Sequence, residues 1–184
     1  LIALMLAQRN LKSTITALDI DELSSKEAQV NINNCPWGRR ISIINSSFQD
    51  FTTNIKFDLI VSNPPFFPSR KSEDRRTIAR HANSLSFQEL IQNSVELLSP
   101  AGILAVIIPK NSEVVFGEIA KSCKLFCSRL CYVKGNEASE AKRVLMEFSF
   151  VKNITKEEHL IIETTRHNYT EKYINLCQQF YINM

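Results

Sequence analysis

The sequence predicts an α/β sandwich with a mostly parallel sheet and helices on both faces. Three observations predict it. Several short apolar runs do not alternate with polar residues, as strands buried on both faces do not; segments of helical periodicity lie between them; and polar residues follow directly after two of the runs, where sheets of this class carry their sites.

Leu1, Leu4 and Met5 recur at helical spacing until Arg9 and Asn10 close the segment. Thr14 to Leu18 then reads as a buried strand ending at Asp19, and the polar stretch Asp21 to Asn33, with Leu23, Ala28 and Val30, as a helix. Ile41 to Ile44 and Phe57 to Val61 are further strands, and Pro64 to Asn83 is a long polar and basic loop. From Phe87 a helix carries Leu90, Ile91, Val95 and Leu98 on one side, with Ser86 and Glu89 as a capping box. Pro100 and Gly102 are expected to stop it before the uncharged strand Ile103 to Ile108, which belongs deep in the sheet. A helix over Glu113 to Lys121, strands near Phe126 to Val133, Val144 to Val151 and Leu160 to Glu163, and a helix after Thr170 complete the chain.

The 184 residues, 44% hydrophobic and 22% charged, supply one sizeable core, so a single domain over 1–184 is expected. The longest apolar run, Ala101 to Ile108, is far shorter than the ~20 residues of a membrane-spanning helix, and no membrane partner is expected. The five cysteines have no C-x-x-C pair and read as buried free thiols of a reducing cytoplasm. Cys123, Cys127 and Cys131 recur every four residues, but a strand over Phe126 to Val133 would split them. His81, His159 and His167 lack partners at ligand spacing, so no metal is expected. Ser94, Ser112 and Lys110 form no nucleophile–base set. The formal charge of +3 does not by itself imply a nucleic-acid partner.

The most informative residues follow the strand Phe57 to Val61: Ser62, Asn63, Pro64, Pro65, Phe66 and Phe67. Adjacent prolines hold a rigid extended turn and fix where Asn63 and Phe66 point. An amide oxygen, the Pro64 carbonyl and an aromatic face suit a planar group bearing an exocyclic amine, with the two oxygens accepting its N–H bonds. A nucleobase amine fits this description, and so does a carboxamide. A stiff loop with a core aromatic would give the same string, but its place after a buried strand favours a site.

Asn63-Pro64-Pro65-Phe66 after Phe57-Asp58-Leu59-Ile60-Val61-Ser62 resembles the catalytic motif of S-adenosylmethionine-dependent amino-methyltransferases, a class with a Rossmann-like fold. Leu1 to Arg9, Ala79 to His81 and Tyr169 to Tyr173 are similar to the bacterial N6-methyltransferases that act on adenine 37 of a valine tRNA. The resemblance implies S-adenosylmethionine as cofactor, tRNA as partner, and Asn63, Pro64, Pro65 and Phe66 as catalytic residues. It implies Asp19 on the cofactor ribose, Ser47 and Phe48 beside the cofactor adenine, and Asn63 near the transferred methyl. Ser47 stands where the family usually has an acidic residue, a departure that weakens that contact. Phe66, Phe67, Arg70, Lys71, Arg75, Arg76, Arg80 and His81 would contact the substrate, the basic ones through phosphates, with Arg39 and Arg40 on the same side.

The family also places a strand and a Gly-rich turn before its first helix. The chain's four glycines, Gly38, Gly102, Gly117 and Gly135, stand elsewhere. Residues before Leu1 are therefore expected, including a central strand between those ending at Asp19 and Asn63. The expected protein is a cytoplasmic, monomeric tRNA methyltransferase. The alternatives are a protein glutamine N5-methyltransferase, or an RNA-binding module without catalysis.

Overall fold

A computed structural model describes residues 1–65 and 85–182. The chain forms two compact units, Leu1–Thr52 and Thr53–Met184.

In the first unit, helix α1 (Ile2–Arg9) leads to strand β1 (Ile15–Asp19), helix α2 (Glu22–Asn33), a 3₁₀ turn (Gly38–Arg40) and strand β2 (Ile41–Asn45). β1 and β2 pair in parallel, from Ile15 opposite Ile41 to Asp19 opposite Asn45. Parallel neighbours need a crossover, which α2 supplies. Asp21 caps α2 by accepting the Ser24 N–H at 2.7 Å, which holds its carboxyl below the usual range. Ala7, Ile32 and Ile41 form the core, with Leu4, Ile15 and Trp37 packed around them. The chain leaves α2 so tightly that a Cβ on Gly38 would run into the Ile32 carbonyl.

The second unit runs β3 (Phe57–Ser62), α3 (Phe87–Leu97), β4 (Leu98–Pro109), a 3₁₀ turn (Lys110–Ser112), α4 (Glu113–Ser122), β5 (Phe126–Lys134), β6 (Arg143–Ser149), β7 (Lys156–Ile161), β8 (Glu163–Thr165), β9 (Asn168–Tyr169) and α5 (Glu171–Cys177). Its main sheet has the order β3-β4-β6-β5-β7. β3 is parallel to β4 and β5 to β7, while β6 runs antiparallel between β4 and β5. β6 reverses because the Gly135–Lys142 connection is too short for the dozen or more residues of a parallel crossover. Buried Leu104, Val106 and Ile108 stand opposite buried Phe148, Met146 and Val144, giving one apolar face. Phe116 of α4 meets Phe87 edge-on at 5.1 Å and Phe148 at 5.4 Å. The capping box on α3 is present, with the Ser86 hydroxyl accepting from Glu89 N and the Glu89 carboxylate accepting from Ser86 N.

Two expectations are corrected. Pro100 and Gly102 do not stop α3; Leu98 turns extended at φ −71°, ψ 144° and opens β4, so both lie inside the strand. Phe57 pairs with Leu98 but Leu59 with Ile103, so Ser99 to Gly102 form a detour in the ladder. Proline is tolerated there because the ladder is interrupted, and a Cβ on Gly102 would lie 2.8 Å from the Phe57 carbonyl. The five cysteines are free but half-buried, not buried. Cys123 ends α4, whereas Cys127 and Cys131 are on β5, so a strand does divide the three.

Among the described residues β1 pairs only with β2 and β3 only with β4, which leaves one edge of each without ladder partners. No described helix is long and apolar enough to cross a membrane, and no described cluster of three His, Cys, Asp or Glu side chains could hold a metal.

Candidate active site

Sites in open sheets of this class lie outside the carboxyl ends of parallel strands, and of the sequence-predicted residues Asp19, Ser47 and Phe48 in the first unit and Asn63, Pro64 and Pro65 in the second stand at or just after such ends. In the second unit, β3 ends at Ser62, opposite Val106, and Asn63 leaves the sheet while β4 continues to Pro109. Pro64 is buried, whereas Asn63 and Pro65 are exposed. The buried ring anchors the turn, and the Asn63 amide makes no hydrogen bond among the described residues. Phe66, Phe67, Arg70, Lys71, Arg75, Arg76, Arg80 and His81 lie outside the described residues.

In the first unit, Asp19 ends β1 with its side chain exposed. Its backbone carbonyl is held by Ser46 N at 3.1 Å, Asn45 Nδ2 at 2.9 Å and Ser25 Oγ at 3.2 Å. Its Oδ1 accepts the Asp21 N–H at 3.0 Å, and Oδ2 has no described partner. The carboxylate is thus set in position with one oxygen open. Ser46, Ser47 and Phe48 follow β2, all half-buried. Ser47 Oγ donates to Asp50 Oδ2 at 2.6 Å and accepts the Asp50 N–H at 3.1 Å. Asp50 was not singled out from the sequence, although Ser47-Phe48-Gln49-Asp50 has the S-x-x-D spacing of a capping box.

Arg40 has a structural use. Its Nη1 donates to the carbonyls of Asn10 at 2.9 Å and Ser13 at 2.7 Å, and its Nη2 to Ala7 at 2.7 Å. It closes the end of α1 and the turn into β1, whereas the neighbouring Arg39 is exposed and has no partner among the described residues.

Lys110 also has a structural use. Its Nζ lies 2.6 Å from Glu113 Oε2 and 4.9 Å above the Tyr132 ring, while the Tyr132 hydroxyl donates to Glu113 Oε1 at 3.0 Å and the ring stacks on His159 at 5.4 Å. Burial, then the bond to Glu113 and its charge, push the Tyr132 phenol up to about 12. A phenol raised in the folded state favours the neutral form there, so its contribution to stability is whole below pH 10 and disappears as pH rises through about 12. An absorbance titration should show a late phenolate phase shared with Tyr173, which also lies near 12, and Tyr132→Phe should remove one phenol's share of it. A late phase of undiminished amplitude in Tyr132→Phe would refute the assignment.

In sequence order, an acidic residue at the end of one parallel strand and an Asn-Pro-Pro turn after a later one, in an α/β chain, are the features of a methyltransferase class. Residues 1–122 match the methyltransferase small domain. A predicted O-methyltransferase from Agrobacterium tumefaciens shares the fold, with a TM-score of 0.73 at 16% identity over 95% of this chain and 82% of the other. Two relatives in sequence are tRNA1(Val) (adenine(37)-N6)-methyltransferases. That of Bacteroides fragilis (strain ATCC 25285) is 41% identical over all of this chain and 79% of its own length. That of Trichodesmium erythraeum (strain IMS101) is 42% identical over 99% of this chain and 79% of its own. The chain belongs to the tRNA1(Val) (adenine(37)-N6)-methyltransferase family.

Proposed function

We propose that this chain transfers a methyl group from S-adenosylmethionine to the N6 amine of adenine 37 in valine tRNA, as its relatives are named for doing. The observation that carries the reading is the Asn63-Pro64-Pro65 turn, anchored by buried Pro64, with an exposed amide at the carboxyl end of β3 that has no partner among the described residues. Adenine N6 is a poor nucleophile because its lone pair is delocalised into the ring. Two N–H bonds, to the Asn63 side-chain oxygen and the Pro64 carbonyl, would favour a more tetrahedral nitrogen and hold it in line for transfer. Pro65 keeps the turn extended, and Phe66 would stack on the ring and stabilise the positive charge that develops. No base is needed before transfer, since the methylated nitrogen is far more acidic than the starting amine.

S-adenosylmethionine supplies, when bound, an electrophilic methyl on a sulfonium. The donor set fits it: the open Oδ2 of Asp19 is an acceptor for ribose hydroxyls at a strand end. Where a carboxylate would be expected beside the adenine amine, Ser47 presents a hydroxyl bonded to Asp50, so Asp50 would supply the negative charge that Ser47 lacks. Phe48 would pack against the adenine. Phe67, Arg70, Lys71, Arg75, Arg76, Arg80 and His81 are assigned to the RNA by their sequence position after the turn.

We read the two units as parts of one methyltransferase domain, because the family match over 1–122 runs across their boundary at Thr52. The enzyme is taken to act as a cytoplasmic monomer. The direct test is nucleoside mass spectrometry of valine tRNA incubated with the protein and S-adenosylmethionine. N6-methyladenosine at position 37, absent when that adenine is replaced, is the expected result. Methylation of glutamine in a protein substrate, with none in tRNA, would overturn it.

A further inference from the structure

We infer that the carboxyl edge of the second unit's sheet, from Lys134 through Lys142 to Arg166, binds phosphates of the tRNA strand several nucleotides from the target adenine. This rests on the proposed tRNA substrate and adds a contact surface away from the Asn63 turn.

β3, β4, β5 and β7 all end on one edge, where β6 begins. Backbone bonds join that edge into one row: Lys110 N donates to Lys142 O at 3.2 Å, Lys142 N to Val133 O at 3.2 Å, and Ile162 N to Lys134 O at 3.0 Å. Asn63 stands at the β3 end of the row. Three strand spacings separate β3 from β5, and a fourth reaches β7, so the basic residues lie about 15–20 Å from Asn63. That distance corresponds to roughly four to six phosphates at the ~3.4 Å per-strand rise of a stacked helix.

Lys134, Lys142 and Arg166 pair with no carboxylate among the described residues, in contrast to Lys110, which is held by Glu113. Lys142 and Arg166 are exposed and Lys134 is half-exposed. Beside them the loop after β5 and the β8–β9 turn enclose a polar cleft of about 470 Å³, lined by Asn136, Thr164, Thr165 and Arg166 together with Glu137 and Glu163. Thr164 Oγ1 already donates to Asn168 O at 3.2 Å, which leaves Asn136 and Thr165 to donate to phosphate oxygens, and the two carboxylates can accept from ribose 2′-hydroxyls, a contact that RNA offers and DNA does not.

The test is binding of valine tRNA across a salt series by the wild-type protein and two triple variants, each checked for an unchanged circular dichroism spectrum and melting temperature. One variant carries Lys134→Ala, Lys142→Ala and Arg166→Ala. The other removes equal charge from the opposite end of the unit through Lys121→Ala, Lys124→Ala and Lys152→Ala. The first should lower the slope of log affinity against log salt by about 2 to 3, and the second should leave it within about 0.5 of wild type. Equal slopes for wild type and the first variant, or equal losses in both variants, would overturn the inference. Methylation of tRNA by the wild type in the same preparation keeps the function standing if that happens. Loss of slope without tRNA methylation would instead sink the proposed reaction and keep the surface.

Discussion

Asn63→Ala is expected to lower the turnover of tRNA methylation by at least ~100-fold, the scale of losing one hydrogen-bond partner that acts in the transition state. The side chain is exposed and makes no described hydrogen bond, so its removal should not unfold the protein. The turn itself is kept by Pro64, which is buried. Melting temperature and S-adenosylmethionine affinity should therefore stay close to wild type while single-turnover methylation falls. Asn63→Asp retains an acceptor oxygen and should keep more activity than Asn63→Ala. Turnover near wild type in Asn63→Ala would remove the amide from the mechanism.

Arg40→Ala is expected to cost about 2–3 kcal/mol of stability, because three charge-assisted bonds end on backbone carbonyls that would then lack a partner. One of those carbonyls, Ala7 O, belongs to the last turn of α1, where acceptors have no partner within the helix. Arg40→Lys should recover only part of the loss, since an ammonium does not reproduce the forked reach to Ala7, Asn10 and Ser13. Arg39→Ala, at an exposed position, should stay within about 0.5 kcal/mol of wild type. Urea unfolding followed by circular dichroism separates these cases. Unchanged stability in Arg40→Ala together with weaker tRNA binding would return Arg40 to the substrate side, where its sequence position first placed it.

Much of the molecule was legible in the sequence wherever the deciding interaction is local. The Ser86–Glu89 capping box sets the start of α3, and Asp21 caps α2. The short runs Thr14 to Leu18 and Ile41 to Ile44 became β1 and β2 within a residue of their expected limits. The Asn63-Pro64-Pro65 turn was readable because proline restricts its own backbone and that of its predecessor, whatever surrounds them. Ser47 with Asp50 was equally local and could have been found from its spacing.

The detour at Ser99 to Gly102 and the use of Arg40 were decided only in three dimensions. Pro100 and Gly102 look like helix terminators by composition. They became strand residues because Leu98 pairs with Phe57, a contact across forty-one positions. Arg40 carries the same charge as Arg39, yet only its guanidinium finds carbonyls brought to it from 27 to 33 residues away. By itself the sequence determined the helix starts at Asp21 and Ser86, the centres of the long strands and the turn that presents Asn63, because those depend on torsional preference and hydrophobic period within a few residues. Tertiary structure alone decided which cation became structural and that Pro100 and Gly102 joined a strand, because both depend on backbone groups that are distant in the chain and meet only after folding.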